Sequence, residues 1–174
     1  MPTLIVEDGT GVANANSYTA LANARAFADS RGLSLPTDDD EACLSLIQGF
    51  DYVESFRSRF GGQKATCTQS TQFPRKGLCI DGCVVAENAI PFELQQAQII
   101  AASLQSQDTA LFVNGNGRET QMERVEGAVS VSYFENGDTS AQPHFEQIMR
   151  LLTSMFRSSQ KGGGAKGILI GVRI

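Results

Sequence analysis

The segment TDDDEACLSLIQGFDYVESF, residues 37–56, carries the clearest structural signal in the chain. Its acidic run, Asp38 to Glu41, stands where the N-terminus of a helix exposes free amides and the positive end of its dipole. The apolar residues behind this run recur at three- and four-residue steps: Cys43, Leu46, Ile47, Phe50 and Val53. The spacing predicts a helix to about Phe56 with one apolar stripe facing a core.

Three further segments show helical spacing of their apolar residues. The first, residues 18–31, follows Ser17 as its predicted N-cap and stops at Gly32. The second has Pro91 in its first turn, and the third opens at Pro143. The chain is therefore expected to contain at least four helices with single apolar faces.

The helix that begins at Pro91 has a polar face rich in glutamine. Its glutamines are Gln95, Gln96, Gln98, Gln105 and Gln107. A face that is polar without being charged is either an ordinary solvated surface or a surface buried against another subunit. The sequence leaves both interpretations open.

The rest of the chain predicts loops, a hairpin and a tail. Residues 57–90 follow neither a helical nor an alternating period, so we expect a long loop there. Residues 119–135 predict a β-hairpin, while residues 161–174 combine a glycine-rich linker with an apolar β-type tail. The predicted fold is mainly α: one domain, residues 1–160, forms a helical bundle with an attached β-hairpin, and an extended C-terminal tail follows it.

Charge is unevenly distributed along the 174 residues. The chain has 14 basic and 19 acidic residues, a net charge of -5, yet residues 55–80 and residues 147–174 contain no acid. The basic residues of these two segments are Arg57, Arg59, Lys64, Arg75, Lys76, Arg150, Arg157, Lys161, Lys166 and Arg173. Such separation suits stacking of identical subunits or contact with an anionic partner, and a chance excess on solvated loops explains it equally well.

Groups suited to catalysis or cofactor binding are sparse. The single histidine, His144, stands at a predicted helix start, where a capping or surface residue is more typical than a catalytic base. The four cysteines lack the spacing of a structural zinc site and predict reduced thiols: Cys43, Cys67, Cys79 and Cys83. We expect no enzyme, no cofactor and no metal.

No apolar run reaches the length of a transmembrane helix, and the first residues lack the pattern of a signal peptide. We therefore expect a soluble protein that is not secreted.

Short motifs along the chain occur in an order that is typical of one family. They are VEDGTG at 6–11 with ANSY at 15–18, FPRKG at 73–77, IP at 90–91, and ERVEG at 123–127 before VSVSY. In this order they resemble the tailed-phage proteins often labelled DnaT-like single-stranded DNA-binding protein. The resemblance covers most of the chain up to Leu152, and it departs from the family at Phe73, where the motif usually has Trp.

The resemblance implies a structural role in a virion. Proteins of this family are similar in gene context and size to head-to-tail connector, or adaptor, proteins, which form a ring under the portal of a phage capsid. We accordingly expect a ring of about twelve identical subunits in the virion neck, between the portal protein and a tail or tail-terminator protein. The protein would be made in the bacterial host cytoplasm, and DNA would pass through the channel. The main alternative is a single-stranded DNA-binding protein, and the sequence also leaves open a cytosolic regulatory module.

Two sets of residues are expected to bind partners. The apolar tail would add as a strand to a sheet edge of a neighbouring subunit or of the portal, with the subunit's own hairpin as the other acceptor. Its residues are Ile168, Leu169, Ile170, Val172 and Ile174. The basic set would face protein or DNA, and comprises Arg57, Arg59, Arg75 and Lys76.

Binding of single-stranded DNA calls for aromatic rings interleaved with basic residues. The rings within the first basic segment are Phe56, Phe60 and Phe73. Core packing is the favoured interpretation of all three.

Overall fold

The computed structural model describes residues 2–112 and 145–157. The helices and strands of these residues are α1 (Leu21–Arg31), α2 (Asp39–Ser55), β1 (Gln63–Lys64), β2 (Arg75–Lys76), β3 (Cys79–Ile80), β4 (Cys83–Val84), α3 (Phe92–Gln105) and α4 (Glu146–Thr153). Strand β1 pairs with β2, and β3 with β4, both antiparallel. The predicted hairpin at 119–135 and the tail at 161–174 lie outside the described residues.

Helix α2 begins as its acidic run predicts. The Asp38 carboxylate caps it by accepting hydrogen bonds from the backbone N–H groups of Asp40 and Glu41, both at 3.0 Å. The buried face of α2 is wider than predicted, because both α3 and the segment that follows α2 pack against it. Its fully buried members are Ala42, Ser45, Leu46, Gly49, Phe50, Tyr52 and Val53, whereas Cys43 and Ile47 are only partly buried.

Helix α3 lies at the centre of the helical layer, in contact with α1, α2 and α4. The spacing of its apolar residues predicts one face made of Leu94, Ala97, Ala101 and Leu104; the first three are fully buried, and Leu104 is partly buried. The crossing with α2 is close at Gly49, where an added Cβ would lie 2.5 Å from the carbonyl oxygen of Gln98. Only a glycine permits this approach of the two backbones.

Gln98 does not belong to a solvated polar face. Its side chain is completely buried and accepts a hydrogen bond from the backbone N–H of Tyr18 at 2.8 Å. Its Nε2 donates to Ser17 Oγ at 2.8 Å and to the carbonyl oxygen of Leu46 at 2.9 Å. Gln98 therefore ties the segment before α1 to both α2 and α3.

The prediction of a mainly α helical bundle with one attached hairpin is wrong, since the described chain is of mixed class with two small antiparallel hairpins. Both hairpins lie in the segment predicted to be a long loop. Residues of that segment, Phe60, Phe73 and Leu78, share one core with the helices. Strands of two residues are too short to show alternation, so packing on this core decides their conformation.

The ends of α1 and α4 differ in how well sequence predicts them. Gly32 adopts the left-handed conformation, φ 64°, that ends α1 as predicted. The helix starts at Leu21 rather than at residue 18, and its N-cap residue is Ala20, which has an extended backbone and no side-chain cap. The predicted cap, Ser17, instead exchanges hydrogen bonds with the backbone of Thr19. The predicted start of the last helix at Pro143 lies outside the described residues.

None of the helices in residues 2–112 and 145–157 combines the length and the apolar character needed to cross a membrane.

Candidate nucleic-acid interface

The two basic segments of the sequence meet in space. Phe60 and Phe156 form an antiparallel bridge, and the Arg157 backbone N–H donates to the carbonyl oxygen of Arg59 at 2.8 Å. Arg157 Nε also donates to the carbonyl oxygen of Phe60 at 3.1 Å, across 97 positions of sequence. The end of the α4 segment is therefore fastened beside the turn that follows α2.

This junction carries a surface that we call the arginine–phenylalanine patch, made of Arg57, Arg59, Phe156 and Arg157. The three arginines are exposed and the ring is partly buried. The guanidinium carbon of Arg59 lies 4.4 Å from the centroid of the Phe156 ring, which is the geometry of a cation–π contact. Both segments that form the patch lack acidic residues, so its charge is not offset from within them.

The rings beneath the patch belong to the core. Phe56, Phe60 and Phe73 are 5% exposed or less, which confirms core packing as the interpretation of these rings. Phe156 packs on Phe60 with ring centroids 5.6 Å apart. Phe156 is partly exposed. Its spacing from Ile148, Leu152 and Met155 predicts only a place on the apolar stripe of the last helix, so the sequence does not single it out as a surface ring.

Arg75, one of the predicted partner-binding residues, lies inside the protein. Its Nε donates to the carbonyl oxygen of Gly61 at 2.6 Å, and its two terminal nitrogens donate to the carbonyl oxygens of Gly62 and Gln72, each at 3.1 Å. Burial, with the nearby charge of Arg157 as a second cause, lowers the pKa of this guanidinium. Arg75 thus holds the backbone that follows Phe60, and so supports the patch from within.

The other predicted residues are placed differently. Arg57 and Arg59 lie in the patch. Lys76 is exposed outside it, with its Nζ 3.7 Å from a carboxylate oxygen of Glu87. The tail residues lie outside the described part of the chain: Ile168, Leu169, Ile170, Val172 and Ile174. Their predicted binding role stays a prediction.

A buried polar network fixes the loop that supplies Arg75. The Tyr18 hydroxyl donates to Glu54 Oε1 and accepts from the backbone N–H of Phe73 at 3.2 Å. The backbone N–H of Gln72 donates to both oxygens of Glu54, at 3.2 and 3.1 Å. Burial is the main cause that raises the pKa of Glu54. The pKa of Tyr18 is also raised, first by burial and second by the charge of Glu54. The motifs ANSY and FPRKG are therefore in direct contact.

The first motif joins the same scaffold through a buried carboxylate. Glu7 is 1% exposed, and its Oε1 accepts from the backbone N–H groups of Gly9 and Gly11, both at 2.9 Å. Its Oε2 accepts from Thr71 Oγ1 at 3.5 Å. Gly9 has φ 101°, and an added Cβ there would lie 1.8 Å from the carbonyl oxygen of Asn88. Glu7 and Gly9 of this motif are buried and build structure, whereas Asp8 and Thr10 are exposed.

In residues 2–112 and 145–157, no three or more His, Cys, Asp or Glu side chains are grouped in a way that could hold a metal ion. All four cysteines are free thiols.

Fold and patch together define a small protein of mixed helix and strand structure that presents a basic and aromatic surface. The chain belongs to the family described as "Putative DnaT-like ssDNA binding protein", whose sequence profile matches residues 2–171. No match was found among curated proteins or among solved structures.

The family assignment corrects the main functional prediction. The family description names single-stranded DNA binding and not a structural connector, so the prediction of a virion head-to-tail connector is wrong. Nothing in the comparison supports the predicted portal or tail partners, whereas DNA is a partner that the family suggests. The alternative from the sequence, a single-stranded DNA-binding protein, agrees better with the family description.

Proposed function

We propose that this protein binds single-stranded DNA, without catalysing a reaction, and that the arginine–phenylalanine patch is where it does so. The observation that carries this proposal is the contact of Arg59 with the Phe156 ring, with Arg157 fastened beside it. Membership of the family described above supports the same ligand.

The chemistry of the patch suits a single strand better than a duplex. Exposed arginines pair with phosphates, while a ring that carries a guanidinium offers a flat cationic platform on which an unstacked base can lie. In a duplex the bases are already stacked on one another. Because the whole chain has a net charge of -5, attraction to DNA away from the patch should be small.

Fluorescence anisotropy with a labelled oligothymidylate of about 16 nucleotides tests the proposal. Three arginines that each release about 0.7 of a counterion predict a slope near -2 for log affinity against log salt concentration. Arg59→Ala and Arg157→Ala should each weaken binding and reduce this slope by about 0.7. Phe156→Leu keeps the apolar packing but removes the stacking ring, so affinity should fall by about fivefold or more with an unchanged slope.

Arg25→Ala is the matched control, since Arg25 lies on α1 and pairs with Asp39 at 2.7 Å. It removes one positive charge away from the patch and should bind like the wild type. The proposal fails if the oligonucleotide does not bind at low salt, or if the two patch arginine variants bind as tightly as Arg25→Ala.

A further inference from the structure

Apart from the patch, the protein has a groove between α1, α3 and α4, which we call the α1–α3–α4 groove. Its volume is about 350 Å³, and its apolar wall is formed by Leu33, Ile100 and Leu151. Arg31 and Arg150 stand among its lining residues, and neither lies in the patch. A volume of this size is at the lower end of what small-molecule sites offer.

An aromatic ring stands beside one of the two groove arginines, Arg31. The guanidinium carbon of Arg31 lies 4.9 Å from the centroid of the Phe27 ring. Phe27 in turn meets the edge of Phe92, with centroids 6.3 Å apart, and Phe92 is 60% exposed. Phe92 does not line the groove itself, but it extends the aromatic surface outward from Phe27, which does.

Polar groups of the groove match a nucleobase and a phosphate. Gln96 and Gln147 line it, and an amide side chain offers both a donor and an acceptor to the edge of a base. Among the described residues, those that line the groove include no carboxylate, and Glu146 pairs with Arg150 at 2.5 Å on the exposed face of α4. The lining therefore favours a flat ring that carries negative charge.

We propose that the α1–α3–α4 groove binds one nucleotide of the same single strand, with the base against Phe27 and the phosphate between Arg31 and Arg150. This inference rests on the proposed function. The positive charge of the lining complements a phosphate, and the groove is linked to the patch through one segment of chain. Helix α4 carries Arg150 in the groove, and the residues after it include Phe156 and Arg157 of the patch. Arg150 and Arg157 are only seven positions apart in the chain, which limits the separation of their backbones to about 25 Å at most.

Methyl NMR spectra of the full chain test the inference with three probes: oligothymidylate, thymidine 5′-monophosphate and inorganic phosphate. The methyl signals of Ile100 and Leu151 should shift saturably with the oligonucleotide and the mononucleotide, because the base enters the groove. Inorganic phosphate alone should leave them unshifted. A phosphate that shifts them as much as the mononucleotide does would overturn the base contact.

Affinity measurements on variants complete the test. Phe27→Leu and Arg31→Gln should each weaken oligonucleotide binding by about fivefold or more. Arg25→Gln, on the same helix but outside the groove, should leave it unchanged, and thermal melting checks that all three variants fold. If the patch variants weaken binding while the groove variants bind like the wild type, the groove inference is overturned and the proposed function stands. If no oligonucleotide binds at all, both fail.

Discussion

Replacing Gln98 with alanine should cost this protein a large part of its stability. The side chain makes three buried hydrogen bonds, to Tyr18, Ser17 and Leu46, at 2.8 to 2.9 Å. Each such bond contributes about 1 kcal/mol net, and the void left by the amide adds about 1 to 2 kcal/mol. The expected loss is therefore about 4 to 5 kcal/mol, against a total stability of about 5 to 15 kcal/mol for a domain.

Urea unfolding followed by circular dichroism measures this loss. Gln98→Met fills most of the same volume without hydrogen bonds, so it isolates the polar part and should cost about 2 to 3 kcal/mol. Gln48→Ala is the control, because Gln48 is exposed on α2 and its removal should change the free energy of unfolding by no more than about 0.5 kcal/mol.

Two outcomes would refute the reasoning. If Gln98→Ala costs no more than Gln48→Ala, then Gln98 does not tie α2, α3 and the segment before α1 together. If Gln98→Met is as stable as the wild type, packing and not hydrogen bonding explains why this glutamine is buried.

Gly9→Ala should cost about 3 kcal/mol or more in urea unfolding, because the added Cβ would meet the carbonyl oxygen of Asn88 at 1.8 Å and φ is 101°. Gly32→Ala, at φ 64° but in open space, should cost only about 1 kcal/mol, and equal losses would contradict the steric argument. Glu54 has a pKa raised above its ordinary 4.5, chiefly by burial, so its folded form binds protons more tightly than its unfolded form. Relative to Glu54→Gln, the wild type should therefore gain stability as pH falls through the folded pKa towards 4.5, and thermal melts that show a constant difference from about pH 4 to 8 would disagree.

The sequence by itself determined the features that depend on near neighbours. The acidic run predicts the cap at Asp38, Gly32 predicts the end of α1, and the apolar spacing predicts burial of Leu94, Ala97 and Ala101. Each of these signals acts within a few residues, because a helix end needs a local hydrogen-bond acceptor or a local left-handed residue. The dipeptide Asp81-Gly82, with φ of 50° and 83°, is likewise a local signal: it is typical of the tight turn of a hairpin and joins β3 to β4 within the predicted long loop.

Only the tertiary structure decided which polar residues serve the core and which serve the surface. Arg75 and Arg59 stand in the same basic segment, yet Arg75 binds carbonyl oxygens inside the protein and Arg59 lies over Phe156 at the surface. The hydrogen bonds of Arg75 reach Gly61 and Gly62, 14 and 13 positions away, whereas the ring that Arg59 contacts belongs to a segment near the end of the described chain. The residues next to an arginine in sequence do not specify whether other parts of the chain will bury its guanidinium or leave it in water. Burial decides whether that guanidinium binds carbonyl oxygens of the core or remains available at the surface.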